Sequence, residues 1–238
     1  MTPARPLTVF CDFDGTITQR DMIVTVCEKF CPPADALMEE GLASRKTGKQ
    51  GSPGWERIKE DILAERTTVR QGVAALFAQI PSSQKDAIIA YAQETVRWRD
   101  GFPELLAFCR ANGLRFVVCS GGIDFFLEPL LAPFRDRIDA VYSIPADFSH
   151  PTIQLRHPFG CETCGLCKVK VMDEYPDTIR ILIGDGITDL HGATRANVVY
   201  ARSQLTRLLD RERIAYTPFD TFHDVIAHLQ TFRGPVHA

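Results

Sequence analysis

Five short runs rich in apolar and β-branched residues, at 7–13, 114–119, 140–144, 179–183 and 198–201, each end in turn residues and are separated by helical patterns. Strands that alternate with helices pair in parallel, so the chain is expected to form an α/β core with a doubly wound, mostly parallel sheet. In such sheets ligands bind beyond the carboxyl ends of the strands, which singles out the polar residues that close the runs. These are Asp12 and Asp14, then Ser120-Gly121-Gly122, then Gly184-Asp185-Gly186.

From residue 18 to about 99 the strand signal vanishes. The segment reads as several helices broken at Cys31-Pro32-Pro33, at 48–54 and at Ile80-Pro81-Ser82-Ser83. The expected organisation is a catalytic core made of 1–18 and 100–238, with an all-helical cap, 19–99, inserted after the first strand. Starting so close to the acid pair, the insert can lie over the site as a lid, and it rules out an uninterrupted nucleotide-binding fold. The tail, 233–238, is expected to fray.

A length of 238 residues suffices for this arrangement without staples, and a net charge of -3 leaves no broad basic surface to attract nucleic acid. A phosphate ligand would need local positive charge. No apolar run approaches the roughly 18 residues of a membrane span, and 1–6 carry no charged-then-apolar leader, so a cytoplasmic protein without a membrane partner is expected. Cys11, Cys27, Cys31, Cys109 and Cys119 lie in apolar segments and read as small buried hydrophobes.

Side chains alternate along a strand, so Asp12 and Asp14 are expected on one face, with Phe13 packing on the other. A carboxylate attacking a phosphate dianion must overcome repulsion, which a divalent cation relieves. Asp12 is therefore expected to be both nucleophile and Mg²⁺ ligand, forming an aspartyl-phosphate that water hydrolyses. Asp14 would protonate the leaving oxygen, deprotonate that water, and lend its carbonyl to the metal. Asp185 reads as a direct metal ligand and Asp189 as an outer-sphere one. The Thr16 and Ser120 hydroxyls and the backbone of Gly121 and Gly122 would meet the phosphoryl oxygens. Lys168, with Lys170 as the alternative, supplies the local cation. The substrate class is a small-molecule phosphate ester.

Asp-x-Asp-Gly-Thr at 12–16, Ser120, Lys168 and Gly-Asp-x-x-x-Asp at 184–189 resemble, in order, the four motifs of the haloacid dehalogenase superfamily, over nearly the whole chain. The dehalogenase branch lacks the second acid and the P-type ATPases replace it, so the presence of Asp14 implies a phosphatase. The insert resembles the cap of the phosphoserine-phosphatase branch. Residues 119–131, Gly72-Val73 with Ile80-Pro81-Ser82-Ser83, and the cysteines before Lys168 resemble the 2-hydroxy-3-keto-5-methylthiopentenyl-1-phosphate phosphatases of methionine salvage. That resemblance implies hydrolysis of an enol phosphate to 1,2-dihydroxy-3-keto-5-methylthiopentene. Phosphoserine phosphatase, or another phosphomonoesterase, is the alternative: Asp21 stands near that enzyme's ammonium-reading glutamate, and Arg70 near its carboxylate-binding arginine. A non-catalytic metal- or phosphate-binding protein is a more remote one. For a thioether tail, Met22, Ile23, Phe77 and Phe126 are the candidate pocket residues.

Cys161, Cys164 and Cys167, with His157 upstream, have spacing that suits a structural Zn²⁺ held by three cysteines and one histidine, although the second half of a zinc ribbon is missing. Reduced thiols on a loop are the other reading. Because Cys167 precedes Lys168, whatever fixes this loop also fixes the cation. Arg202, Arg207, Arg211 and Arg213, alternating with Asp210 and Glu212, read as a solvated helix face.

Overall fold

The computed structural model describes residues 5–31, 54–64 and 66–231. The expected tail at 233–238 and most of the expected breaks at 31–33 and 48–54 lie outside them.

Eight strands form in chain order: β1 (Leu7–Cys11), β2 (Arg115–Ile123), β3 (Ala140–Ile144), β4 (Ala146–Asp147), β5 (Gln154–Leu155), β6 (Ile179–Gly184), β7 (Val198–Ala201) and β8 (Thr217–Pro218). Six of them make one sheet in the order β3-β2-β1-β6-β7-β8, parallel throughout. The α/β fold class is as expected from the alternating pattern. Helices cover the sheet because a parallel sheet buries both faces: Val9, Phe10 and Cys11 of central β1 are fully buried. Between β1 and β2 lie α1 (Met22–Phe30), α2 (Gly54–Leu63), α3 (Val69–Phe77), α4 (Lys85–Thr95) and α5 (Phe102–Ala111). Then come α6 (Asp124–Leu131), α7 (Lys168–Asp173), α8 (Leu190–Ala193), α9 (Ser203–Glu212) and α10 (Phe222–Thr231). No helix among the described residues is long and apolar enough to cross a membrane.

Three local outcomes differ from the sequence pattern. β1 ends at Cys11, and although the Asp12 N–H still donates to Ile183 O at 2.9 Å, residues Phe13–Ile17 wind into one wide turn closed by Thr18 N–H on Phe13 O at 3.0 Å. Gly15 permits this turn with φ +76°. β2 continues past Ser120 to Ile123, with irregular pairing to β3 between Cys119 and Ile123. The short strands β4, β5 and β8, two residues each, carry no readable periodicity. The segment before β5 matters all the same, since Ile153 N–H donates to Ile80 O and Ser82 N–H to Pro151 O, tying the corner after α3 to the sheet domain.

The chain leaves and re-enters the core through one hydrogen-bonded neck. Thr18 pairs with Trp98, Gln19 N–H donates to Arg97 O at 2.8 Å, and Arg99 N–H to Ile17 O at 2.9 Å. Arg99 is buried, and its guanidinium donates to the carbonyls of Thr16 and Gly15 at 2.7 Å and Thr18 at 3.2 Å. The wide turn has no ladder to satisfy these groups, and the planar fork does it instead. Arg202 adds a bond from Nη1 to Gly15 O at 3.0 Å. It therefore does not belong to a solvated face, unlike Arg207, Arg211 and Arg213, which are exposed. Position explains the difference: Arg202 precedes α9 and follows β7, at the ligand edge of the sheet.

Arg99→Lys keeps the charge but loses the fork, leaving a buried carbonyl without a donor at about 2 kcal/mol. Thermal unfolding of this variant is expected about 4–8 °C below the parent, and an unchanged Tm would mean that the turn is held by other contacts.

Candidate active site

Lys168 opens α7, and its side chain is almost wholly buried at 1% exposure. Nζ donates to Asp12 Oδ1 at 2.7 Å and to Asp189 Oδ1. Asp189 Oδ2 accepts the backbone N–H groups of Asp185 and Gly186, each at 3.0 Å. Both Asp189 oxygens are thus occupied in holding the lysine and the loop after β6. A side chain on Gly184 would put its Cβ 2.3 Å from Asp189 Cγ, so glycine is required there by close approach. Lys170 points elsewhere, donating to Gly160 O, which settles the choice of buried cation.

Asp14 reaches the same site from the wide turn, not along a strand face as alternation suggested. Its Oδ1 accepts Met22 N–H at 2.7 Å, and its Oδ2 accepts the Ser120 hydroxyl at 3.4 Å. Ser120 Oγ in turn accepts Gly122 N–H at 2.8 Å. The Thr16 hydroxyl, expected to face phosphate, donates to Asp185 Oδ1 at 3.2 Å. Asp21 caps α1 by accepting Val24 N–H at 2.9 Å, and it lines the same cavity as Asp12, Asp14 and Gly121.

Burial, then the charges of Asp189 and Asp185, push the Asp12 carboxyl well up, with Lys168 opposing. Burial, then Asp21 and Asp12, hold Asp14 well above the usual carboxylate range. Asp185 is pushed up to about 6 by burial and Asp189. Burial disfavours the Lys168 ammonium, but Asp12 and Asp189 outweigh it and keep the lysine charged. The site holds more carboxylate than one lysine neutralises. Among the described residues, Asp12, Asp185 and Asp189 form the only cluster with three metal-ligating atoms within 4.8 Å of one another, an oxygen donor set that suits a hard divalent cation.

Above these acids lies a cavity of about 310 Å³. Ile23 of α1, Trp55 and Ile62 of α2, and Val69, Val73 and Leu76 of α3 form an apolar wall, facing Ile144 and Leu166 of the core. Of the four expected pocket residues only Ile23 lines it. Met22, Phe77 and Phe126 are buried in the core, the last two with their rings stacked at 6.4 Å where the end of α3 meets α6. The i, i+4, i+7 spacing of 69, 73 and 76 was the sequence signal for the wall. Arg99 gave no such signal. Arg70 does not enter the cavity: its N–H donates to Thr163 O at 3.1 Å and its Nη1 to Cys161 O at 3.0 Å. Among the described lining residues there is no arginine.

The expected zinc set is not assembled. Cys161, Cys164, Cys167 and His157 do not bring three donor atoms within metal-binding distance, and all eight cysteines are free. His157 Nδ1 is paired with Gly165 O at 3.1 Å, and the loop closes on its own hydrogen bonds.

A family profile described as haloacid dehalogenase-like hydrolase matches residues 9–194. The chain is 40% identical over 240 residues to the 2-hydroxy-3-keto-5-methylthiopentenyl-1-phosphate phosphatase of Brevibacillus brevis, covering 98% of this chain and 99% of that one. It is 37% identical over 233 residues to the protein of the same name from Geobacillus thermodenitrificans, covering 95% and 96%. Among solved structures, a phospho-aspartyl intermediate analogue of phosphoserine phosphatase superposes with TM-score 0.64 at 12% identity, covering 94% of this chain and 99% of that one. Phosphoserine phosphatase from T. onnurineus, in complex with NDSB-201, gives 0.65 at 17%, covering 98% and 99%. These two share the fold.

Gly184→Ala would drive a methyl into the Asp189 carboxylate, and overpacking of this kind costs about 1–3 kcal/mol. Urea unfolding should register that loss, whereas Gly186→Ala, whose Cβ would meet nothing within 4 Å, should leave stability unchanged. Equal stability of the two variants would contradict the packing at Gly184.

Proposed function

The chain belongs to the haloacid dehalogenase-like hydrolases, and we propose that it is a phosphatase that attacks its substrate with Asp12 and acts on 2-hydroxy-3-keto-5-methylthiopentenyl-1-phosphate. The observation that carries this reading is an acidic floor with one buried lysine beneath an apolar wall.

Lys168 binds Asp12 through Oδ1, keeps the carboxylate oriented, and offsets charge as a phosphate dianion approaches. Asp12 attacks phosphorus and carries the phosphoryl group as an aspartyl-phosphate. Asp14, whose carboxyl is raised above the usual range by burial and by Asp21 and Asp12, is placed to donate a proton to the leaving oxygen. The resulting carboxylate then takes a proton from the water that attacks the phosphoryl group. Ser120 and Met22 N–H keep Asp14 in place, and Asp189 keeps Lys168 in place. Asp12 and Asp185, with the Asp14 carbonyl, would hold Mg²⁺, which when bound lowers the repulsion between carboxylate and phosphate. Asp189, with both oxygens engaged, supports that set from outside. The described helices α1, α2 and α3 of the 19–99 insert act as a cap that shapes the pocket.

The names of the full-length relatives support the substrate, and so does the wall. A methylthio tail is apolar and would bury against Trp55, Ile62 and Val73. Phosphoserine would bring a carboxylate, and Arg70, the candidate to meet it, is bonded to the cysteine loop. Asp21 at the cavity keeps phosphoserine as the second reading. The free cysteines suit a reducing compartment such as the cytoplasm.

Side-by-side kcat/KM values should favour the enol phosphate over phosphoserine and simple sugar phosphates by at least about tenfold. A preference for phosphoserine overturns the substrate and leaves the chemistry standing. With p-nitrophenyl phosphate, Asp12→Asn should show no turnover in a folded protein, and Asp14→Asn should lose about 10²–10⁴-fold in kcat. Activity should vanish with EDTA and return with Mg²⁺. Turnover by Asp12→Asn would end the covalent mechanism.

A further inference from the structure

The cysteine loop takes no part in this chemistry, yet its geometry is specific. Cys161 N–H donates to Cys164 O at 3.1 Å, and Cys164 N–H donates back to Cys161 Sγ at 3.2 Å. The Thr163 hydroxyl lies 3.5 Å from Cys161 Sγ and 3.6 Å from Cys164 Sγ. One tight turn therefore folds the two thiols of a Cys-x-x-Cys segment around a shared hydroxyl, the first partly exposed and the second buried.

We propose that Cys161 and Cys164 form a reversible dithiol–disulfide site, oxidised by a low-molecular-weight disulfide, whose closure slows the enzyme. The sulfurs are matched to that exchange. Burial works against the Cys161 thiolate, but hydrogen bonds from Thr163 and Cys164 outweigh it and bring the thiol down to about 7. Burial pushes Cys164 up to about 11. Cys161 is then the attacking sulfur near neutral pH and Cys164 the resolving one. The Cys161 thiolate displaces one thiolate from the small disulfide and forms a mixed disulfide. Cys164 gives up its proton to solvent, attacks the Cys161 sulfur and expels the second thiolate. Two protein thiols are oxidised to one disulfide, and the small disulfide is reduced to two thiols. Cys167 is buried at the start of α7 with its N–H on Phe159 O at 2.8 Å.

The link to the active site is direct. Gly165 and Leu166, next in sequence, line the cavity, and Lys168 follows within the same short segment. Arg70 of α3 grips the loop at the Cys161 and Thr163 carbonyls. A bond of about 2.0 Å between the sulfurs replaces the hydrogen-bonded contacts with Thr163 and with Cys164 N–H that now hold this turn. A misplacement on the order of 1 Å in a positioning group can cost up to about 10²-fold in rate.

The test treats the purified full chain with glutathione disulfide, blocks remaining thiols with iodoacetamide and maps linked peptides by mass spectrometry. The expected result is a Cys161–Cys164 linkage, reversed by dithiothreitol, with kcat/KM for p-nitrophenyl phosphate at least about tenfold lower in the linked form. Cys161→Ser should match the reduced parent in activity and lose the response. No linkage, a linkage through Cys167, or a linked enzyme with unaltered kcat/KM overturns the proposal. The peptide map needs no turnover, so failure of the disulfide and failure of the phosphatase reading remain distinguishable.

Discussion

One buried ammonium holds the site together. Lys168 is sealed from water between Asp12 and Asp189, and an unpaired charge there would cost several kcal/mol. Satisfying it fixes three segments distant in sequence: the end of β1, the loop after β6 and the start of α7. Asp189 extends the network by accepting both N–H groups that follow Gly184. Gly184 and Gly15 then have to be glycine, because carboxylates occupy the space a side chain would take.

The same network creates an electrostatic imbalance. Asp12, Asp14 and Asp185 are drawn together by backbone geometry, with Lys168 the buried lysine among them, and burial raises all three. Such an excess of negative charge is unfavourable by itself, and it falls when a cation or an acidic proton is present. Structural cost and chemical competence have one origin here. A group poised to give up a proton is a group whose charged form the fold disfavours. The apolar wall on α1, α2 and α3 has a separate origin, the helical faces that close over the acids.

Much of this was readable from residue order. The buried strands show as apolar, β-branched runs because both faces of a parallel sheet are covered. Three of the four motif segments were visible because they close those runs with Asp, Ser or Gly, whereas Lys168 opens a helix instead. Less was legible where a role depends on a distant partner. Arg99 and Arg202 serve carbonyls of the turn after β1, across 80 to 190 positions of chain, and nothing local to either arginine announces it. Phe77 and Phe126 had the composition of pocket residues and became core because each found the other. The cysteine spacing suited zinc, and loop hydrogen bonds turned the donors elsewhere.

The sequence by itself determined the α/β class and the strand ends near which the acids stand, since these follow from local periodicity and residue type. Tertiary structure alone decided that Asp14 joins Asp12 through a wide turn held by Arg99, that Asp189 serves the lysine, and which helix faces line the cavity. Those outcomes depend on contacts between segments far apart in the chain, where shape and the need to satisfy buried polar groups choose among partners that are equivalent in composition.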